Sequence, residues 1–441
     1  MTEVENNIAY EYSDRRVTPW GGLRWMKELL DKTGIREELG RLPLPVPGSN
    51  RGFSPVQLME SFWVSVWMGA SRMTHAGWLR YDEVIGEIFQ WKRIPSESTL
   101  SRFFHKFSWQ RNTEVFVPLQ QWFLKQLTIE RITLDVDSTV ITRYGAQEGS
   151  RKGFNTHKPG RPSHHPLLAF IPELRMVANA WLRPGNTASG SALQNFLEET
   201  FAILDDKLVG LVRADSGFYG DKYLRFFEGR KVHYIVSTKV QRPLKWEIWN
   251  CKNWLPVAVG IQVSEFMYKA LGWKVARQMI VVRQEISQRP KATGKMLFSD
   301  DELGARYRYS CMVTDLDLSP VQVWALYRQR ADAENRIKEL KYDFAIDGFC
   351  LKKFWATEAA FRSIIVAYNL MSLFRFLVLQ TKTQSTLTTL RVKCFALGAW
   401  VSRHAGKKVL KLSVSGKKRL WLDGLFATIT DLEPPFHCSN A

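Results

Sequence analysis

At Arg131 the spacing of apolar residues changes, and that change divides the chain. Ile132, Leu134 and Val136 alternate with Thr133, Asp135 and Asp137, the period of a strand with one buried face and two carboxylates on the other. Before this point, residues 22–34, 55–69 and 111–127 carry apolar side chains three and four apart, separated by Gly/Pro breaks such as 43–52. Residues 1–130 therefore read as a helical N-terminal domain. After it, strand-like runs at 166–171, 176–182, 207–214 and 231–239 alternate with helical segments at 189–204 and 221–229. That order predicts an α/β fold in which helices cover both faces of a mixed sheet, begun by residues 131–240. Residues 241–310 alternate again and hold Trp246, Trp249, Trp254 and Trp273, which predicts a β-rich insertion. Helix returns at Ser319, so 311–403 complete the α/β domain, and 404–441 read as a basic hairpin and tail turning at Ser415-Gly416.

The chain of 441 residues carries 62 Lys and Arg against 43 Asp and Glu, a net charge of +19. A field of that sign favours polyanions, nucleic acid first. Its cations are spread over several segments, which argues against a single membrane-binding amphipathic helix. The five cysteines are scattered and match no zinc spacing. The first residues are polar and acidic with no apolar leader, and residues 361–379 are interrupted by Arg362, Asn369 and Arg375, as a buried helix would be. A soluble intracellular protein is the expectation. Residues 95–107 join capping residues to a basic, aromatic helix, a pattern shared by DNA-reading helices and by ordinary capped packing helices, and with the net positive charge it makes residues 1–130 the expected DNA-binding domain.

An ionised carboxylate inside an apolar strand needs a partner or a cation, so Asp135 and Asp137 call for compensation. Asp215 ends the apolar run 208–214 and enters Ser216-Gly217-Phe218, a strand exit that suits a functional acid or a plain turn. On a helix starting near Trp324, Tyr327, Arg330, Glu334 and Lys341 fall within about 60° of one another. Leu326, Ala333, Ile337, Leu340 and Phe344 form its apolar stripe. The same polar stripe also fits a solvated face with ion pairs. Between the first two acids, residues 141–165 place Arg143, Arg151, Lys152, Lys158 and Arg161 against only Glu148, among four glycines. A loop of that kind can follow phosphates closely.

Tyr327, Arg330, Glu334 and Lys341 match without departure the Y-x2-R-x3-E-x6-K signature, and the chain resembles bacterial insertion-sequence transposases with a DDE triad. The stretch Leu134 to Thr139, with Tyr144-Gly145, Gly153-Phe154-Asn155 and Gly160-Arg161-Pro162-Ser163-His164-His165-Pro166, is similar to the thirteen-eighty group of that family. The resemblance implies a ribonuclease H-like sheet with Asp137, Asp215 and Glu334 as triad, Asp137 being preferred to Asp135 by its Asp-Ser-Thr context. It implies two Mg²⁺ or Mn²⁺ ions on the three acids, and end-DNA contacts from Tyr327, Arg330 and Lys341. A tryptophan of the insertion, taken as Trp249, would stack on a flipped base. The activity implied is binding of terminal inverted repeats, cleavage by metal-activated water and transfer of the 3′ hydroxyl to target DNA, by a homodimer in a synaptic complex at the nucleoid of a bacterial cytoplasm. The alternatives are a non-catalytic DNA-binding protein on a decayed transposase scaffold and a nuclease without strand transfer. Such chemistry needs three converging acids because phosphodiester transfer demands an activated oxygen, relief of phosphorane charge and a stabilised leaving oxygen, which two hard cations supply.

Overall fold

The computed structural model of the chain describes residues 10–48, 52–155, 158–288, 306–381 and 384–437. A nine-stranded sheet organises it. In chain order its strands are β1 (Arg131–Ser138), β2 (Leu167–Ile171), β3 (Met176–Trp181), β4 (Leu208–Ala214), β5 (His233–Thr238), β6 (Leu255–Ala258), β7 (Ile261–Tyr268), β8 (Arg277–Glu285) and β9 (Tyr307–Thr314). Across the sheet they run 6-7-8-9-5-4-1-2-3. β1, β2 and β3 pair antiparallel, whereas β1, β4 and β5 pair parallel. Parallel neighbours need crossovers, and helices Leu193–Leu204 and Asp221–Gly229 supply them. The mixed α/β sheet expected from the alternation is present.

Residues 241–314 depart from a wholly β-rich reading. They begin with a helix, Arg242–Asn250, because Pro243 opens its first turn and Leu244 and Ile248, one turn apart, bury a single face. The strands that follow extend the main sheet through the antiparallel pairing of β9 with β5, in register Thr238↔Cys311. Ile235, Val263, Ile280 and Met312 form a small core beneath them, closed by Val323 of helix Pro320–Arg328.

The N-terminal helices Arg24–Thr33, Pro55–Met68, Glu97–Phe104 and Trp109–Lys125 form where the three- and four-residue spacing puts them. Ser54 caps the second, with Pro55 in its first turn and Gly69 ending it at φ 107°. The last three helices pack on helix Phe354–Leu373, whereas Arg24–Thr33 packs on the C-terminal helix Gly416–Thr430. Trp63 Nε1 donates to Ser363 Oγ at 2.9 Å, and Trp67 Nε1 donates to the Ala367 carbonyl at 3.1 Å. Both indoles are fully buried, so truncating either to alanine costs about 3–5 kcal/mol. Helix Glu97–Phe104 turns Leu100, Phe103 and Phe104 into this core, where Phe62 meets Phe104 edge-on at 4.8 Å. Its aromatic residues are therefore used in packing.

The span Phe354–Leu379 is long and apolar enough to cross a membrane, yet 89% of its most apolar window is buried inside the protein. Asn369 shows why it belongs there: its amide donates to the Val177 carbonyl at 2.8 Å and accepts from the Val177 N–H at 2.9 Å, which closes the open edge of β3. At the C-terminus the basic hairpin pairs Ala399–His404 with Lys407–Leu412. Its turn is Ala405-Gly406, both at positive φ as a two-residue hairpin requires, and not Ser415-Gly416. Ser415 instead precedes a helix, Gly416–Thr430.

Candidate active site

Register brings the first two acids together. β1 and β4 run parallel with Val136 beside Ala214, so the next residues, Asp137 and Asp215, leave adjacent strand ends side by side. Asp137 is 8% exposed, and the Ser138 N–H donates to its Oδ1 at 2.8 Å. Asp215 opens a short 3-10 turn, its Oδ1 accepting from Gly217 N at 2.8 Å. Burial pushes the Asp137 carboxyl up to about 6, although Arg330 and the Ser138 N–H pull it down; Asp215 and Glu334 add to the push.

Asp135 lies on the same strand face and is committed elsewhere. Arg213 of β4, its register partner, grips it with two hydrogen bonds, Nε to Oδ1 at 2.6 Å and Nη2 to Oδ2 at 2.9 Å. The remaining nitrogen of Arg213 donates to the Leu326 carbonyl at 2.6 Å. This buried pair therefore ties strand to helix. Arg213 was not singled out in the sequence, where an arginine inside the apolar run 208–214 is the signal that it answers a buried acid.

The segment with the Tyr-Arg-Glu-Lys spacing is two helices, Pro320–Arg328 and Ala331–Tyr342, joined through Gln329 and Arg330. At the joint the bonds tighten to Arg330 N with Tyr327 O and Ala333 N with Arg330 O, the i to i+3 pattern of a 3-10 turn. Arg330 thereby points at the sheet. Its Nη2 lies 3.1 Å from Asp137 Oδ2, and its buried Nε has no hydrogen-bond partner. Burial works against its charge, yet Asp137, Tyr327 and Asp215 raise its pKa. The Tyr327 hydroxyl reaches the Ala214 carbonyl at 3.4 Å, and Lys341 Nζ donates to the Val140 carbonyl at 3.1 Å. Burial holds Tyr327 neutral and lowers Lys341. Glu334 is exposed and lies within electrostatic reach of Asp137.

A brace not read from the sequence adjoins this edge. His165 Nδ1 faces the Thr187 carbonyl at 2.8 Å, and its Nε2 faces Ser138 Oγ at 3.1 Å. Ser138 Oγ in turn meets Ser189 Oγ at 3.1 Å. Arg183 fixes the far side, donating to the carbonyls of His165 at 3.0 Å and Ser189 at 2.9 Å. Burial lowers the His165 pKa, so the ring is neutral near pH 7. The pattern Ser163-His164-His165-Pro166 contains the signal, without the partner.

The basic loop folds as a three-stranded ribbon in which Pro162–His164 pairs with Ile141–Thr142 and with Arg151–Lys152. Arg151, Lys152, Lys158 and Arg161 are exposed on it. Arg143 is not: it is buried, donating to His164 Nδ1 at 3.0 Å and to the Asp347 carbonyl, so it serves the fold and leaves four solvent-facing cations. Among the tryptophans, Trp254 lies under Arg283 and Trp273 under Arg277, whereas Trp246 and Trp249 are 70% and 47% exposed on helix Arg242–Asn250. That helix starts four residues after β5, on the edge that carries Asp215.

Among the described residues, no three carboxylate, histidine or cysteine side chains stand close enough together to hold a metal ion. In kind, the donors fit a hard divalent cation: all are carboxylate oxygens, and Asp137 is crowded by the like charge of Asp215 and Glu334. The chain matches the family described as Transposase DDE domain group 1 over residues 2–434. No curated protein matches it. Among solved structures it is similar to a piggyBac transposase synaptic complex with hairpin DNA, determined by cryo-EM, at 12% identity and a TM-score of 0.44, covering 86% of this chain and 81% of that one.

Proposed function

The chain belongs to the DDE transposase family, and we propose that it binds the terminal inverted repeats of an insertion sequence, cleaves the element's ends and transfers the 3′ hydroxyl to target DNA. Asp137, Asp215 and Glu334 are the triad of this reading, on a ribonuclease H-like sheet. The observation that carries it is the parallel register that sets Asp137 and Asp215 side by side, with Arg330 and Glu334 brought over them by the helix joint. The 3-2-1-4-5 order within the first five strands fits the same fold.

Asp137, Asp215 and Glu334, drawn closer together than they stand here, would hold two Mg²⁺ or Mn²⁺ ions, which would supply charge relief for the attacking and leaving oxygens. The chain's own groups do the rest. Arg330 releases Asp137 and turns its fork onto a phosphate, a bidentate acceptor that satisfies the unpaired Nε. Lys341 and the Tyr327 hydroxyl hold neighbouring phosphates at the same edge. Arg151, Lys152, Lys158 and Arg161 extend the contact along the backbone, and Trp249 takes a displaced base. Binding both ends at once makes the working form a homodimer.

The test is purified protein with Mg²⁺ and DNA from either side of its own gene, with cut and joined ends mapped by sequencing. Cleavage at the repeat boundary followed by joining is the expected result. Cleavage without joined product assigns a nuclease, and binding without cleavage assigns a non-catalytic DNA-binding protein.

A further inference from the structure

The ribbon beside the acids is built as a rigid platform. A Cβ on Gly153 would lie 2.0 Å from the Gly185 carbonyl, and one on Gly185 would lie 2.0 Å from the Ser163 carbonyl, so the ribbon and the 184–191 loop touch backbone to backbone. Asn155 draws the two ends of the ribbon together, its amide donating to Thr142 Oγ1 at 3.0 Å while its carbonyl oxygen accepts from Lys158 N at 2.9 Å. Tyr144 and Phe154, beside these two anchor points, are left 69% and 75% exposed. Lys158 Nζ sits 4.9 Å and the Arg161 guanidinium 5.9 Å from the Tyr144 ring centre, and Lys158 also donates to its hydroxyl. Glu148, the one acid in residues 141–165, is exposed but engaged, its carboxylate accepting from Phe354 N at 3.0 Å.

Two solvent-held aromatic rings, one of them flanked by two cations, on a ribbon whose exposed cations outnumber its acid four to one match neither a packing surface nor a plain phosphate track. We propose that this platform binds unpaired nucleotides of a DNA strand, Tyr144 and Phe154 stacking on bases while Arg151, Lys152, Lys158 and Arg161 hold the phosphates. Stacking needs an open base face, which a paired duplex hides and an unpaired strand offers. The inference rests on the transposase reading and specifies its substrate: an end that carries unpaired bases.

The experiment compares a fully paired end duplex with one bearing a short unpaired tail labelled with 2-aminopurine, by anisotropy and by fluorescence quenching. The tailed duplex binds about tenfold tighter and its label is quenched. Tyr144→Ala with Phe154→Ala removes that advantage and the quenching, while paired-duplex affinity and its salt slope stay as they were. Arg151→Ala with Arg161→Ala lowers the salt slope for both DNAs. Equal affinity for the two DNAs, an advantage that survives the double aromatic substitution, or equal displacement by polyglutamate would each overturn the proposal. Loss of end-duplex binding altogether would instead overturn the transposase reading, so the two failures are distinct. Both rings are exposed, and unchanged thermal unfolding checks that the variant folds.

Discussion

Arg330 Nη2 rests 3.1 Å from Asp137 Oδ2, so a guanidinium occupies the more buried of the two acids at the adjacent ends of β1 and β4. The pair lies near the end of β1, whereas Asp135, two residues earlier, is gripped by Arg213. Arg330 is thus a resident cation whose alternative partner is a phosphate. Replacing it by alanine should weaken end binding and lower the slope of affinity against salt by about one. An affinity unchanged across a salt titration rejects the clamp.

The two strand acids should fail differently. Asp137→Asn, Asp215→Asn or Glu334→Gln should each reduce metal-dependent cleavage at least about a hundredfold with end binding kept. Asp135→Asn leaves Arg213 charged, buried and half-paired, and should destabilise the fold by about 3–5 kcal/mol, read by denaturant unfolding. Persistent nicking by the Asp215 variant removes that residue from the triad.

Stability should depend on pH through Asp137. An acid raised to about 6 from an ordinary 3.8 is protonated below both values in folded and unfolded chains alike, so it costs nothing there. The cost grows as pH rises between those values and is complete above the upper one. In chelator-treated buffer, the stability of Asp137→Asn relative to the parent should therefore rise by up to about 3 kcal/mol between acid pH and pH 8. A difference independent of pH refutes the burial account.

His165→Ala should lower the cleavage rate about 10–100-fold with little change in end affinity, because it removes the link between Ser138, which follows Asp137, and the Thr187 carbonyl. His165→Gln keeps an acceptor near the Nε2 position and should restore part of the rate. Single-turnover cleavage separates this from a binding defect.

How far these features can be read in the residues alone differs by element. Alternation in Ile132, Leu134 and Val136 states the strand, and three- and four-residue spacing states the long helices, because both are local. Asp135 and Asp137 share one face, so period cannot choose between them; the choice lies in the pairing of Asp135 with Arg213, a contact across 78 positions. The joint at Gln329 and Arg330 needs only a change in ψ to −21°, which leaves no mark on composition. Helix Arg242–Asn250 was hidden because the outward Trp246 lets Leu244, Trp246 and Ile248 alternate with Lys245 and Glu247, the period of a strand. The hairpin turn at Ala405-Gly406 lacks the usual Asn-Gly signal, and Ser415-Gly416 mimics one.

Trp63 and Trp67 each bond to a residue 300 positions later. During synthesis the ribosome must therefore deliver most of the protein before the first helices find their final neighbours, and the entropy of closing so long a loop slows that step. An N-terminal fragment released early would leave two indoles in water and tend to aggregate.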